Sequence, residues 1–180
     1  MFVFGHLGIG KLLAKPWRKG LPLAPLLLGT LLPDLIDKPL YYFPSWITGK
    51  RGIELGLISG TRSFGHTALF ALALLTITFI RRSRTWAAIT LGVATHLLLD
   101  GIGDQIGGRP DMSPLLWPFT GWAFPIYPHS GFTQHLGTVF APYIFFGEIL
   151  GAALLLQEFW SHRKFRKTLK PNRKNYETLL

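Results

Sequence analysis

The sequence predicts an all-α fold, a polytopic membrane bundle. About four helices would span the bilayer, beside a short N-terminal half-helix and a long outer loop rich in proline, glycine and aromatics. Three observations predict it. The 180 residues are 48% hydrophobic and only 16% charged, against about a quarter charged in ordinary soluble domains. The apolar residues are gathered into runs. The basic residues flank those runs, where the positive-inside rule operates.

Charge and composition exclude several function classes. A formal net charge of +10 would suggest nucleic acid in a soluble protein. Here four basic residues lie in 11–19, three in 81–84 and seven in 163–174, so membrane topology accounts for them and no nucleic-acid partner is expected. There is no cysteine, which removes disulfides, thiolate metal sites and cysteine nucleophiles. Length fits one domain, read as residues 1–160 followed by a basic cytoplasmic tail, 161–180. The apolar start precedes its lysines instead of following them, unlike a cleavable signal peptide.

Residues 1–14 (MFVFGHLGIGKLLA) are apolar but shorter than the ~20 needed to span, hence the half-helix. Residues 11–20 form a basic, cytoplasmic link. Residues 21–37 are the second apolar segment, with kinks or breaks expected at Pro25 and Pro33. Asp34 and Asp37 close it, three apart and so on one helical face. Tyr41, Tyr42, Phe43 and Trp46 then favour the headgroup layer. Residues 64–80 predict the clearest helix, in which His66 is the one ionisable side chain. The cluster Arg81, Arg82 and Arg84 turns the chain, and residues 85–100 return, ending in His96 and Asp100. Five prolines between 110 and 128 forbid a spanning helix over 101–133. Its aromatics, Trp117 among them, suit a lid at the membrane surface. Residues 134–157 predict the last helix, carrying Glu148 about 20 Å below Gln134 at 1.5 Å per residue.

On this path the 19 basic residues divide into 14 on the cytoplasmic side and five (Lys38, Lys50, Arg51, Arg62, Arg109) opposite. Asp34, Asp37, His66, Asp100, His129 and His135 then fall near one outer face. Buried imidazoles and carboxylates are costly alone, and a divalent cation compensates both. His96 and Asp100, four apart, share a helical face. With His66 they make a three-ligand set of the kind catalytic zinc uses. Asp34 and Asp37 would complete it, bridge a second ion, or orient the imidazoles. One or two ions are expected, zinc before manganese; haem on paired histidines fits these carboxylates less well. His6 counts to mid-membrane, reaching the site if its helix tilts and otherwise packing. Arg62, four before His66, would place a fork of donors near the metal, or else pair with a loop acid or snorkel to headgroups. His129, His135 and Trp117 would line a substrate entrance.

These motifs resemble the YdjM-like family of predicted membrane-bound metal-dependent hydrolases. The resemblance rests on His6, the run ending Pro33-Asp34-Leu35-Ile36-Asp37, Arg62 before His66, His96-Leu97-Leu98-Leu99-Asp100, and Pro114-Leu115-Leu116-Trp117-Pro118, covering roughly residues 1–120. The family commonly has Pro-Asp-x-Asp where the acids here are three apart, and a His and a Ser where Thr61 and Thr67 stand. The resemblance implies hydrolysis. The expectation is therefore a metal-dependent hydrolase of the plasma or inner membrane, its site on the non-cytoplasmic side. Asp34 or Asp37 would be the base, and Arg62 would stabilise transition-state charge. A lipid-linked phosphoester is the first substrate class. A lipid acyl ester or amide, hydrolysed or transferred, is another. The contrasting expectation is a non-enzymatic metal-binding membrane protein or a divalent-metal transporter.

Overall fold

The computed structural model describes residues 2–50, 54, 60–108, 110–124, 126 and 132–168, side chains of 162–168 excepted. Its helices are α1 (Val3–Ala14), α2 (Leu23–Thr48), α3 (Ala68–Arg81), α4 (Arg84–Ile106), α5 (Ser113–Leu116), α6 (Phe132–Gly137) and α7 (Pro142–Thr168), with 3₁₀ turns at Phe64–His66 and Thr138–Phe140. The all-α expectation holds for the described residues.

Two of the expected spans are met by length and composition: among the described residues, α4 and the Pro142–Ser161 stretch of α7 are long and apolar enough to cross a membrane. With 12 and 14 residues, α1 and α3 rise only about 18 and 21 Å at 1.5 Å per residue, short of a ~30 Å hydrocarbon core. α2 has 26 residues but carries Asp34, Asp37 and Lys38 along its middle.

Boundaries moved for physical reasons. α2 does not end at 37 but runs through Pro33, Pro39 and Pro44. Each proline removes one ladder donor, which deprives the carbonyls of Gly29, Leu35 and Leu40 of that partner, and the helix continues through all three. α3 starts later than expected because Thr67 caps it, accepting the Phe70 N–H at 3.0 Å. α4 continues to Ile106, so His96 and Asp100 lie within a helix instead of at its end. α7 begins at Pro142 and carries on to Thr168, into the stretch expected to be tail.

The packing brings backbones together. α2 packs most extensively on α4, and α1 on α7. A Cβ added to Gly29 would fall on the Ile89 carbonyl, and one added to Gly92 on the Leu26 carbonyl, so this pair of helices meets main chain to main chain. Apolar clusters flank the contact, Ala14 with Leu26 and Ala88, and Leu74 with Ile89 and Val93. Large apolar side chains also face outward, Phe79 at 71% and Ile80 at 74% exposure. Aqueous surfaces rarely carry so much exposed apolar area.

Glu148 departs from its expected depth. Because α7 starts at Pro142, its carboxylate lies near the helix start and caps α1, accepting N–H bonds from Phe2, Phe4 and Gly5, each at 2.9 Å. An anion there satisfies orphan donors and the helix dipole together. Glu148→Ala would leave those donors bare and should cost about 2 kcal/mol. Chemical unfolding in detergent micelles would register this, and an unchanged midpoint would remove the anchoring role.

Candidate metal centre

Four segments converge on one point. α4 supplies His96 and Asp100 from a single face. α2 supplies Asp34, Asp37 and the Thr30 carbonyl. The bend before α3 supplies Arg62 and His66, and α1 supplies His6.

His66 is held from behind. Asp37 is fully buried and accepts from the Ser63 N–H (2.7 Å), the Gly65 N–H (2.9 Å) and His66 Nδ1 (2.7 Å). The bend can lie this close to α2 because residue 65 lacks a side chain: an added Cβ would meet the Pro33 backbone at 2.8 Å. With Nδ1–H donated to the carboxylate, the His66 Nε2 lone pair points forward.

His96 is held in the same way by a different acceptor. Its Nδ1 lies 2.8 Å from the Thr30 carbonyl oxygen, which only accepts, so Nδ1 carries the proton and Nε2 is free.

These two fixed tautomers bring Nε2 of His66 and Nε2 of His96 to 3.1 Å. Two neutral imidazoles presenting lone pairs to each other repel unless a metal cation or a shared proton lies between them. Asp100 Oδ2 completes a triangle, 3.4 Å from His66 Nε2 and 3.7 Å from His96 Nε2. In a tetrahedral zinc site with bonds near 2.0–2.1 Å, adjacent donors are about 3.3 Å apart. The triangle has that size, so these three residues suit one face of a divalent site.

Two further donors stand at its edge. Asp34 Oδ1 is 3.7 Å from His66 Nε2, and its Oδ2 accepts from Lys38 at 2.6 Å. His6 does reach the cluster: its ring stacks on His96 at 3.9 Å, and its Nε2 is 3.3 Å from Asp100 Oδ1. Both His6 ring nitrogens are buried without a hydrogen bond, a costly state for a polar group unless an ion engages it. Overlapping groups His6/His96/Asp100 and Asp34/His66/His96 each bring their donor atoms within 4.8 Å of one another.

Arg62 is not on a helical turn before His66, since α3 starts only at Ala68. Its guanidinium instead bridges two acids of α4, Asp100 Oδ2 at 3.0 Å and Asp104 Oδ2 at 2.5 Å. Asp104 was missed by the sequence reading, although its i+4 spacing from Asp100 was visible. A small pocket beside this clamp is lined by Arg62, His66, Asp100, Asp104, Asp111 and Met112, among others.

The expected entrance residues lie further out. His135 Nδ1 is 2.7 Å from the Tyr42 hydroxyl, and its ring packs edge-on to Phe2 at 5.4 Å. Trp117 stacks on Phe124 at 5.1 Å and meets Phe64, two residues before His66, edge-on at 5.8 Å. His129 lies outside the described residues.

A helical membrane protein enclosing a histidine and aspartate cluster is the class that this fold and site define. The chain belongs to the YdjM inner membrane protein family, whose model matches residues 1–166. The resemblance drawn from the motifs is thus correct, and the membrane location stands with it. No curated protein and no solved structure matches the chain.

Proposed function

We propose that this protein is a membrane-embedded, metal-dependent hydrolase of lipid esters. The observation that carries the reading is the 3.1 Å approach of two imidazole Nε2 atoms, each with its Nδ1 proton already committed. A divalent cation, zinc before manganese, would supply Lewis acidity and lower the pKa of a water toward neutrality.

The chain's own residues do the rest. His66, His96 and Asp100 would hold the ion, with Asp34 and His6 at its edge for further coordination or a second ion. Asp37 keeps His66 in one tautomer and one orientation. Asp34, steadied by Lys38, is the general base that takes the proton of the attacking water. Arg62 clamps Asp100 against Asp104. Being committed to two acids, it acts here as a positioning residue and leaves transition-state charge to the cation.

The pocket carries Asp100, Asp104 and Asp111 against Arg62, so a phosphoester enters only with the ion in place. An acyl ester or amide is the second substrate class, favoured by the same acidic lining. The basic link after α1 and the tail after α7 are assigned to the cytoplasmic face. From Arg84 to Asp100 the helix climbs about 24 Å at 1.5 Å per residue, which on that assignment would put the site toward the opposite leaflet. A transporter would need a polar route onward, and Ala14, Leu26 and Ala88 pack as an apolar cluster between α1, α2 and α4.

The test is turnover of lipid phosphoesters and acyl esters by protein reconstituted in vesicles, before and after chelation. Hydrolysis of one class, lost to chelator and restored by zinc or manganese, supports the reading. Metal uptake into the vesicles without turnover of either class would overturn it in favour of transport.

A further inference from the structure

A second cavity lies between α1 and α7, at the end of the bundle away from the histidine and aspartate cluster. It is about 320 Å³, within the ~300–1,000 Å³ range of ligand pockets. Lys11, Lys15 and Arg18 line it from α1 and the following turn, Glu158 and Ser161 from α7.

The cations are not balanced. Lys11 is ion-paired with Glu158. Lys15 and Arg18 have no ion-pair partner among the described residues. They stay beside Lys11 because the chain keeps a helical course past Ala14, the Lys15 N–H bonding the Leu12 carbonyl at 3.1 Å and the Arg18 N–H the Ala14 carbonyl at 2.9 Å. Two uncompensated cations therefore border a concave space.

The lining also changes character along its length. α1 and α7 run parallel here, as the contacts from Glu148 to the start of α1 and from Glu158 to Lys11 require. Gly8, Leu12 and Leu154 give an apolar stretch, and Lys15, Arg18 and Ser161 a polar end. Beside that polar end, Trp17 and Trp160 are 69% and 72% exposed, as tryptophans at a membrane–water interface are. A free anion would use only the charged end, whereas a lipid uses both.

We propose that this cavity binds an anionic phospholipid, its phosphate on Lys15 and Arg18 and an acyl chain along Gly8, Leu12 and Leu154. Basic pockets between membrane helices are suited to such headgroups. The site is separate from the metal centre and does not depend on the hydrolase reading.

Native mass spectrometry of the full-length protein in detergent, titrated with phosphatidylglycerol, phosphatidylcholine or inorganic phosphate, tests it. Wild type should retain phosphatidylglycerol over phosphatidylcholine. The Lys15→Ala/Arg18→Ala variant should lose about tenfold or more of that preference, the effect of removing two basic contacts. Both side chains are partly or fully exposed, so the variant is expected to fold, and an unchanged unfolding midpoint verifies that. Arg81→Ala/Arg84→Ala removes the same charge from exposed positions at the same end and should keep the preference. Equal loss in this control, or no loss in the Lys15/Arg18 variant, would overturn the proposal. So would displacement of the lipid by millimolar phosphate, which would mark a site for the free anion.

Discussion

Replacing His66 with alanine should abolish metal retention and, with it, hydrolysis. The substitution deletes one Nε2 of the pair and breaks the triangle with Asp100. It also leaves His96 without a facing lone pair to demand a cation. Activity should fall on the order of a thousandfold or more, because water ionises far less readily when free than on a zinc ion, where its pKa drops to about 7. The protein should still fold, since Asp37 keeps its bonds to the Ser63 and Gly65 amides. Elemental analysis of monodisperse variant and wild type, purified side by side, makes the comparison. Equal metal in both would remove His66 from the ligand set.

Asp37→Asn should weaken metal binding by about 10–100-fold, the usual effect of losing the partner behind a ligating histidine. The carboxylate uses both oxygens on amide donors and one of them also on His66. An asparagine offers only one acceptor oxygen. Either an amide N–H faces the new NH₂ group, or His66 loses the partner that fixes its tautomer. Stability should fall as well, by about 1–3 kcal/mol for a buried donor left without an acceptor. Titration against a competing chelator reads the affinity. An unchanged affinity would mean that the bond behind His66 is structural only.

Much of the site was legible because helical spacing is geometry. His96 and Asp100 are four apart, and charge asymmetry alone sets Asp34, His66 and Asp100 at one depth. What spacing cannot give is the direction of a side chain toward another segment. Asp37 and Asp34 look equivalent in sequence. The structure separates them: Asp37 lies behind His66 and Asp34 in front of its Nε2, because the bend at 63–65 closes over the second acid. Arg62 could be placed near the site but not assigned a partner, since Asp104 became available only once α4 ran past its expected end.

The fold was legible as helices and less so as spans. Apolar runs mark helices regardless of neighbours, whereas Pro33 was read as a kink or break and is carried inside α2, as are Pro39 and Pro44. Glu148 was misplaced by counting down a helix that begins eight residues later than expected, at Pro142 rather than 134. His6 could not be decided by counting. Its position depends on the anchoring of α1 to α7, which no local pattern encodes.

X-ray absorption on the purified protein, kept in lipid and never exposed to chelator, tests the central claim most directly. The account predicts a stoichiometric divalent metal whose inner shell contains imidazole nitrogens near 2.0–2.1 Å and carboxylate oxygen near 2.0–2.2 Å. A preparation without metal, and unable to take one up, would mean that a proton alone reconciles His66 with His96, and the metal centre would be contradicted.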